Sequence, residues 1–184
     1  SAEGGAIKIA DGAPTIINNL FRQNSVTNSA ARGDARGGAM QVVGNARPFT
    51  VNNTFLQNTA LVSNGATNFD QGGAINFAGS ETNLTPVPKL ANNLVAYNSS
   101  GIYVAGRVPD IRHNLLWGNV RTNYDRIPDP TGTNGNLSLH PALTGPYGDP
   151  HLTTNSPARD AGDSALTAAT WKDLDGAARV VGGT

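Results

Sequence analysis

The chain has 184 residues, of which 22 are glycine and none is cysteine, and its formal net charge is zero. That length suffices for one domain with a real core. Zero net charge excludes the basic footprint of a nucleic-acid binder, and the missing cysteine excludes a disulfide framework and thiol chemistry. Charged residues are 14% and apolar ones 38%, so the high-charge signature of a disordered chain is absent. No apolar run approaches the ~20 residues of a membrane span.

The first unit covers residues 4–24. Gly4, Gly5 and Ala6 lead into Ile7, Lys8 and Ile9, whose alternation is that of a half-buried strand. Asp11 and Gly12 turn the chain. Residues 14–17 predict a second strand, and Leu20 with Phe21 a third. Asn18 and Asn19 make the corner between them, because Asn tolerates the left-handed backbone and bonds its own chain. After a small polar insert, residues 25–36, the second unit opens at Gly37, Gly38 and Ala39. There Met40 and Val42 replace Ile7 and Ile9, and Phe55 replaces Phe21. The third unit opens at Gly72, Gly73 and Ala74, has Ile75 and Phe77 in those places, and carries a second insert around Pro86 and Pro88. The fourth, residues 101–119, is compact, with Ile102, Val104, Ile111 and Leu116.

Two asparagine series tie the units together. Asn19, Asn53, Asn93 and Asn114 recur at steps of 34, 40 and 21, and Asn24, Asn58, Asn98 and Asn119 repeat the same steps. A constant unit with one variable loop is the signature of a solenoid with excursions on one side. Stacking the units gives apolar columns, namely Ile7/Met40/Ile75/Ile102, Ile9/Val42/Phe77/Val104 and Phe21/Phe55/Val95/Leu116. These should point inward, while Lys8, Gln41, Asn76 and Tyr103 should point outward. Each strand then pairs in parallel with its copy in the next unit. The predicted fold is all-β, a parallel β-helix of about four to five turns with three strands per turn. The Asn columns should form internal ladders, each amide bonding the next.

One face breaks the rule of polar outside. Ile17, Leu20, Val51, Leu94 and Leu115 should face outward, with Leu56, Ala91, Ala96 and Trp117 beside them. An apolar patch of that size needs a cover, either the chain's own C-terminal segment or another subunit. After Asn119 the pattern loosens. Residues 120–134 are rich in Asp, Pro and Gly and read as a loop, and residues 136–139 read as one more strand. The chain therefore divides into β-helix repeats over residues 1–139 and a loop-rich segment over residues 140–184, packed on the helix.

The repeated Gly-Gly-Ala followed by Ile-x-Asn-Asn-x-Phe-x-x-Asn resembles secreted bacterial right-handed β-helix proteins of the pectate-lyase-like superfamily. The tail is similar to the C-terminal signature of the choice-of-anchor Q group. It reads Ser156-Pro157-Ala158-Arg159-Asp160-Ala161-Gly162, then Asp173-Leu174-Asp175-Gly176-Ala177-Ala178-Arg179. The group often has Asp where this chain has His140, and it continues past its Gly-Gly with a closing strand. The resemblance implies a right-handed helix and an extracellular or cell-surface location. No signal peptide is legible, and Ser1 and Ala2 suit a chain matured by cleavage.

Lyases of that superfamily need a basic residue beside carboxylate-bound calcium, and its hydrolases need converging carboxylates. No acidic residue recurs in an outward strand column. Asp11, Asp34, Asp70 and Asp110 fall in turns or inserts, where they bond the local backbone. Arg112 is the candidate for a lyase base, with Asp110 its nearest sequence carboxylate. His113 takes an Asn place at a corner and reads as a ladder substitute, and His140 and His151 lack metal-ligand spacing. Asp160, Asp163, Asp173 and Asp175 are the best carboxylate cluster. Hard oxygen ligands on loops suit calcium; pairing with Arg159 or Arg179 is the plainer role. No other cofactor is expected.

Two functions remain open. The first is a non-enzymatic extracellular structural protein that stacks end to end into a fibre. A β-helix exposes unpaired backbone at its ends, and here neither end shows a capping helix. Ile7, Ile9 and the outward apolar residues with Trp117 would make the contacts, and the partner is a second copy. The alternative is a carbohydrate-binding or lyase-like module, with Tyr97, Tyr103 and Trp117 stacking on a polysaccharide.

Overall fold

The structure, a computed structural model, describes residues 1–30, 33–63, 70–79, 85–145 and 147–179. Three parallel sheets form the walls of a β-helix. The first takes Ile7–Ile9, Met40–Val43, Ile75–Ala78, Ile102–Val104 and Tyr124–Asp125. The second takes Thr15–Ile17, Phe49–Val51, Lys89–Ala91 and Asp110–Arg112. The third takes Leu20–Arg22, Thr54–Leu56, Leu94–Ala96 and Leu115–Trp117. The register follows the repeats, with Ile7 opposite Met40, Met40 opposite Ile75 and Ile75 opposite Ile102. Of the extra strand expected at residues 136–139, only Leu137 bridges to Leu115.

The inward columns fill the helix. Met40, Phe55, Ile75, Phe77 and Leu116 are fully buried, and the rings of Phe21 and Phe55 stack at 4.7 Å. Each such side chain stabilises the fold by about 1.5–3 kcal/mol relative to exposure. At two corners the amide ladders run from Asn19 through Asn53, Asn93 and Asn114 to Asn136, and from Asn24 through Asn58, Asn98 and Asn119 to Asn123. Each ladder extends one residue beyond the series read from the repeats. The repeated Gly-Gly has a steric cause. Gly37 and Gly72 take φ of +63° and +69°, and a β-carbon there would meet the carbonyl of Met40 or Ile75.

The first insert is not a plain loop. Ser25–Asn28 pairs with Thr59–Val62, and Ala2–Glu3, Ala35–Arg36 and Asp70–Gln71 form a three-stranded sheet. Val26, Ala35 and Ala60 give this fin a small core of its own.

The C-terminal segment lies on the third sheet and along one corner. Leu143 packs with Leu56, Leu94, Ala96 and Leu115, and Leu20, Trp117, Leu137 and Ala158 join them. Beyond it a strap descends the corner between the second and third sheets. His113 Nδ1 meets the Ala161 carbonyl at 3.1 Å, Asn92 Nδ2 donates to the Asp163 carbonyl at 3.0 Å, and Asn52 Nδ2 donates to Thr167 Oγ1 at 3.1 Å. Asn18 Nδ2 ends the row on the Lys172 carbonyl. All four corner residues are left-handed, with φ between 52° and 57°, which aims their side chains out at the strap. His113 thus belongs to this row and not to a ladder. The closing residues Val180, Val181, Gly182 and Gly183 lie outside the described residues.

Candidate functional site

The residues expected to make contacts between subunits divide into two groups. Val51, Leu94 and Leu115 are buried, and Ile17, Leu20 and Trp117 are half-buried. For Leu20, Leu94, Leu115 and Trp117 the cover is the chain's own segment around Leu137, Leu143 and Ala158. That part of the apolar face is therefore covered from within the chain. Ile7 and Ile9 remain at the edge of the first turn.

The two ends of the helix differ. The last turn is partly closed. Tyr124 and Ile127 pack onto the inner core, His113 N donates to the Asn134 carbonyl, Leu116 N to the Leu137 carbonyl, and Asn114 N to Asn136 Oδ1. Among the described residues the wall strands of the first turn pair only with those of the second. Ile7 N donates to the Ala39 carbonyl, and the Pro14 and Asn19 carbonyls accept from Phe49 N and Thr54 N. Backbone groups of successive residues in a strand point to opposite sides, so Lys8, Thr15, Leu20 and Arg22 turn theirs to the open side. In each ladder an Asn Oδ1 accepts from the Asn one turn earlier, as Asn53 Oδ1 does from Asn19 N and Nδ2 at 3.0 Å each. Asn19 Oδ1 and Asn24 Oδ1 receive no donor among the described residues. The edge is thus shaped to continue both the sheets and the ladders.

The outward column of the first sheet differs from expectation. Lys8 is exposed and pairs with Glu3 at 2.7 Å. Gln41 and Asn76 are 0% exposed and Tyr103 3%. Asn76 Nδ2 donates to the Gln71 carbonyl of the fin, and burial pushes the Tyr103 phenol up, with Asp34, Arg36, Asp125 and Arg126 close enough to act on it. Both polar atoms of the Gln41 amide, and Asn76 Oδ1, are buried without a protein partner. Repeat alignment alone placed this column in solvent; the fin that covers it comes from the inserts, which the alignment leaves out.

The residues considered for chemistry are otherwise engaged. Arg112 holds Asp110 at 2.7 Å, and this hydrogen bond raises the guanidinium further. Asp163 caps the short 3-10 turn Ser164–Leu166 through Ala165 N, and Asp173 accepts from Asp175 N and Ala177 N. Asp175 bonds His151 Nε2 at 2.8 Å, and His151 Nδ1 contacts Asp149. Asp160 takes a left-handed turn position. Among the described residues no three carboxylate or imidazole groups gather to hold a metal. Tyr97 Oη lies 3.3 Å from His140 Nε2, and Trp117 meets the same ring edge-on at 6.0 Å.

No family model, curated protein or solved structure matches the chain. Among the described residues no helix is long and apolar enough to cross a membrane.

Proposed function

We propose that this chain is a non-enzymatic extracellular structural β-helix module whose copies associate through the first turn. The observation that carries the reading is the backbone edge that the first turn presents on three sheets at once, paired on one side only among the described residues. Such an edge is a template for another strand. The repeats' likeness to secreted β-helix proteins supports the location. The partly closed last turn makes a pair of copies, joined first turn to first turn through their backbone edges, the smallest assembly; Asn19 Oδ1 and Asn24 Oδ1 are acceptors on both copies and take no part in that join. Growth into a fibre requires the covering residues 126–137 to leave the last turn.

Sedimentation over a concentration series tests the association. The weight-average mass should rise from one copy to two. Lys8→Pro should hold the protein as a monomer without lowering Tm, because the Lys8 N–H points to the open side. Proline at Ile7 is unsuitable, since Ile7 N already bonds Ala39. A single monomeric species up to millimolar protein overturns the reading.

A second reading, a carbohydrate-binding surface, draws on the half-buried Tyr97 and Trp117 gathered around His140. Binding to a glycan array that is lost with Trp117→Ala would favour it.

A further inference from the structure

We propose that the groove between the second sheet and the C-terminal strap is a binding site for an aromatic carboxylate. The groove measures about 520 Å³, within the range of small-molecule sites. Its floor is the outward side of the second sheet, where Phe49 and Lys89 are register partners on adjacent turns. Pro48 and Pro86 flank them, and Leu166 of the strap forms the opposite wall. That wall is fixed in place. Asn52 holds Thr167, and Asn92 and Asp163 bond each other reciprocally at 3.0 and 2.9 Å.

Among the described residues no carboxylate pairs with the charge in the groove. Arg47 and Lys89 both line it, and neither is ion-paired among the described residues. Asp110, the register partner of Lys89, is taken by Arg112. Arg47 gives Nη1 to the Thr85 carbonyl at 3.3 Å and leaves a buried Nε without an acceptor. Two cations on an apolar floor match a ligand with one anionic end and an apolar body. A carboxylate accepts charge-assisted hydrogen bonds from both, and a flat ring packs on Phe49 and the prolines. A sugar would need partners for several hydroxyls, and among the described residues lining the groove the one polar side chain besides the two cations is Thr167, whose hydroxyl already accepts from Asn52. This site is independent of the first-turn edge.

The test is an NMR titration of the whole chain with 2-naphthoate, neutral 2-naphthalenemethanol and digalacturonate. Naphthoate should shift the amide signals of Phe49, Lys89 and Leu166 saturably. Lys89→Met, at an exposed position, should weaken it about tenfold, the effect of losing one charged hydrogen bond. The neutral alcohol should bind the native protein no better than naphthoate binds the variant. Absence of saturable shifts, equal affinity of native protein and Lys89→Met, or tighter binding of digalacturonate would each overturn the proposal.

Discussion

Asn93 shows how much one side chain holds in this fold. Its Nδ2 donates to the Thr50 carbonyl, the Ala91 carbonyl and Asn114 Oδ1, while its Oδ1 accepts from Asn53 N. Leucine there would leave Asn53 N without its acceptor, at about 1–3 kcal/mol, and take one donor from each carbonyl, of which that of Ala91 keeps Asn52 N. Asn93→Leu should therefore lower Tm by roughly 4 °C or more. Asn19→Leu, at the exposed end of the same ladder, should cost much less, and equal losses would show that the ladder is solvated throughout. Tyr124 gives the opposite case. Its hydroxyl is buried without a protein partner, and burial pushes the phenol far up. Tyr124→Phe should leave stability unchanged or raise it by up to ~1 kcal/mol; a clear fall in Tm would reveal a water bound to that hydroxyl. At this scale the ladder residues were legible, because identical steps in two Asn series leave few readings. The burial of Gln41 was not, since its place in the repeats is that of the exposed Lys8.

At the scale of elements, the C-terminal segment is the part least visible in the sequence. It has neither the period of a strand nor that of a helix, and its contacts are side chain to backbone at single residues such as Asn92 and His113. The apolar residues it covers were legible as a face in need of a cover, but not the choice between this chain and another. Leu143→Asp should lift the segment from Leu94 and Leu115, and binding of a hydrophobic dye should rise; no change in dye binding would contradict the packing. His151 links two turns of the segment through Asp149 and Asp175, and only the protonated ring donates to both carboxylates. These bonds raise the His151 pKa above its ordinary 6.5, and the contact with His151 lowers that of Asp149 below 3.8. A raised histidine contributes stability fully below its unfolded value and loses it as pH rises through the folded value. A lowered carboxylate contributes above its unfolded value and loses it as pH falls through the folded one. The Tm difference between native protein and His151→Ala should be largest below about pH 6.5 and shrink as pH rises through the folded value of His151. A difference constant across that window would show that the link is not ionic.

For the whole molecule, the sheets and ladders form a single stack whose two ends are built differently. The repeats made the stack legible, because the same apolar places recur at Ile7, Met40, Ile75 and Ile102. The asymmetry of the ends was not legible, because the last turn is closed by Tyr124, Ile127 and Asn136, which lie in a stretch that reads only as a loop. The central claim is that the open turn is an association edge. Hydrogen exchange at the amides of Lys8, Thr15, Leu20 and Arg22, followed as protein concentration rises, tests it most directly. Association through the first turn predicts that these four amides slow together with increasing concentration while amides of the last turn do not change. Fast exchange of all four at every concentration would contradict it.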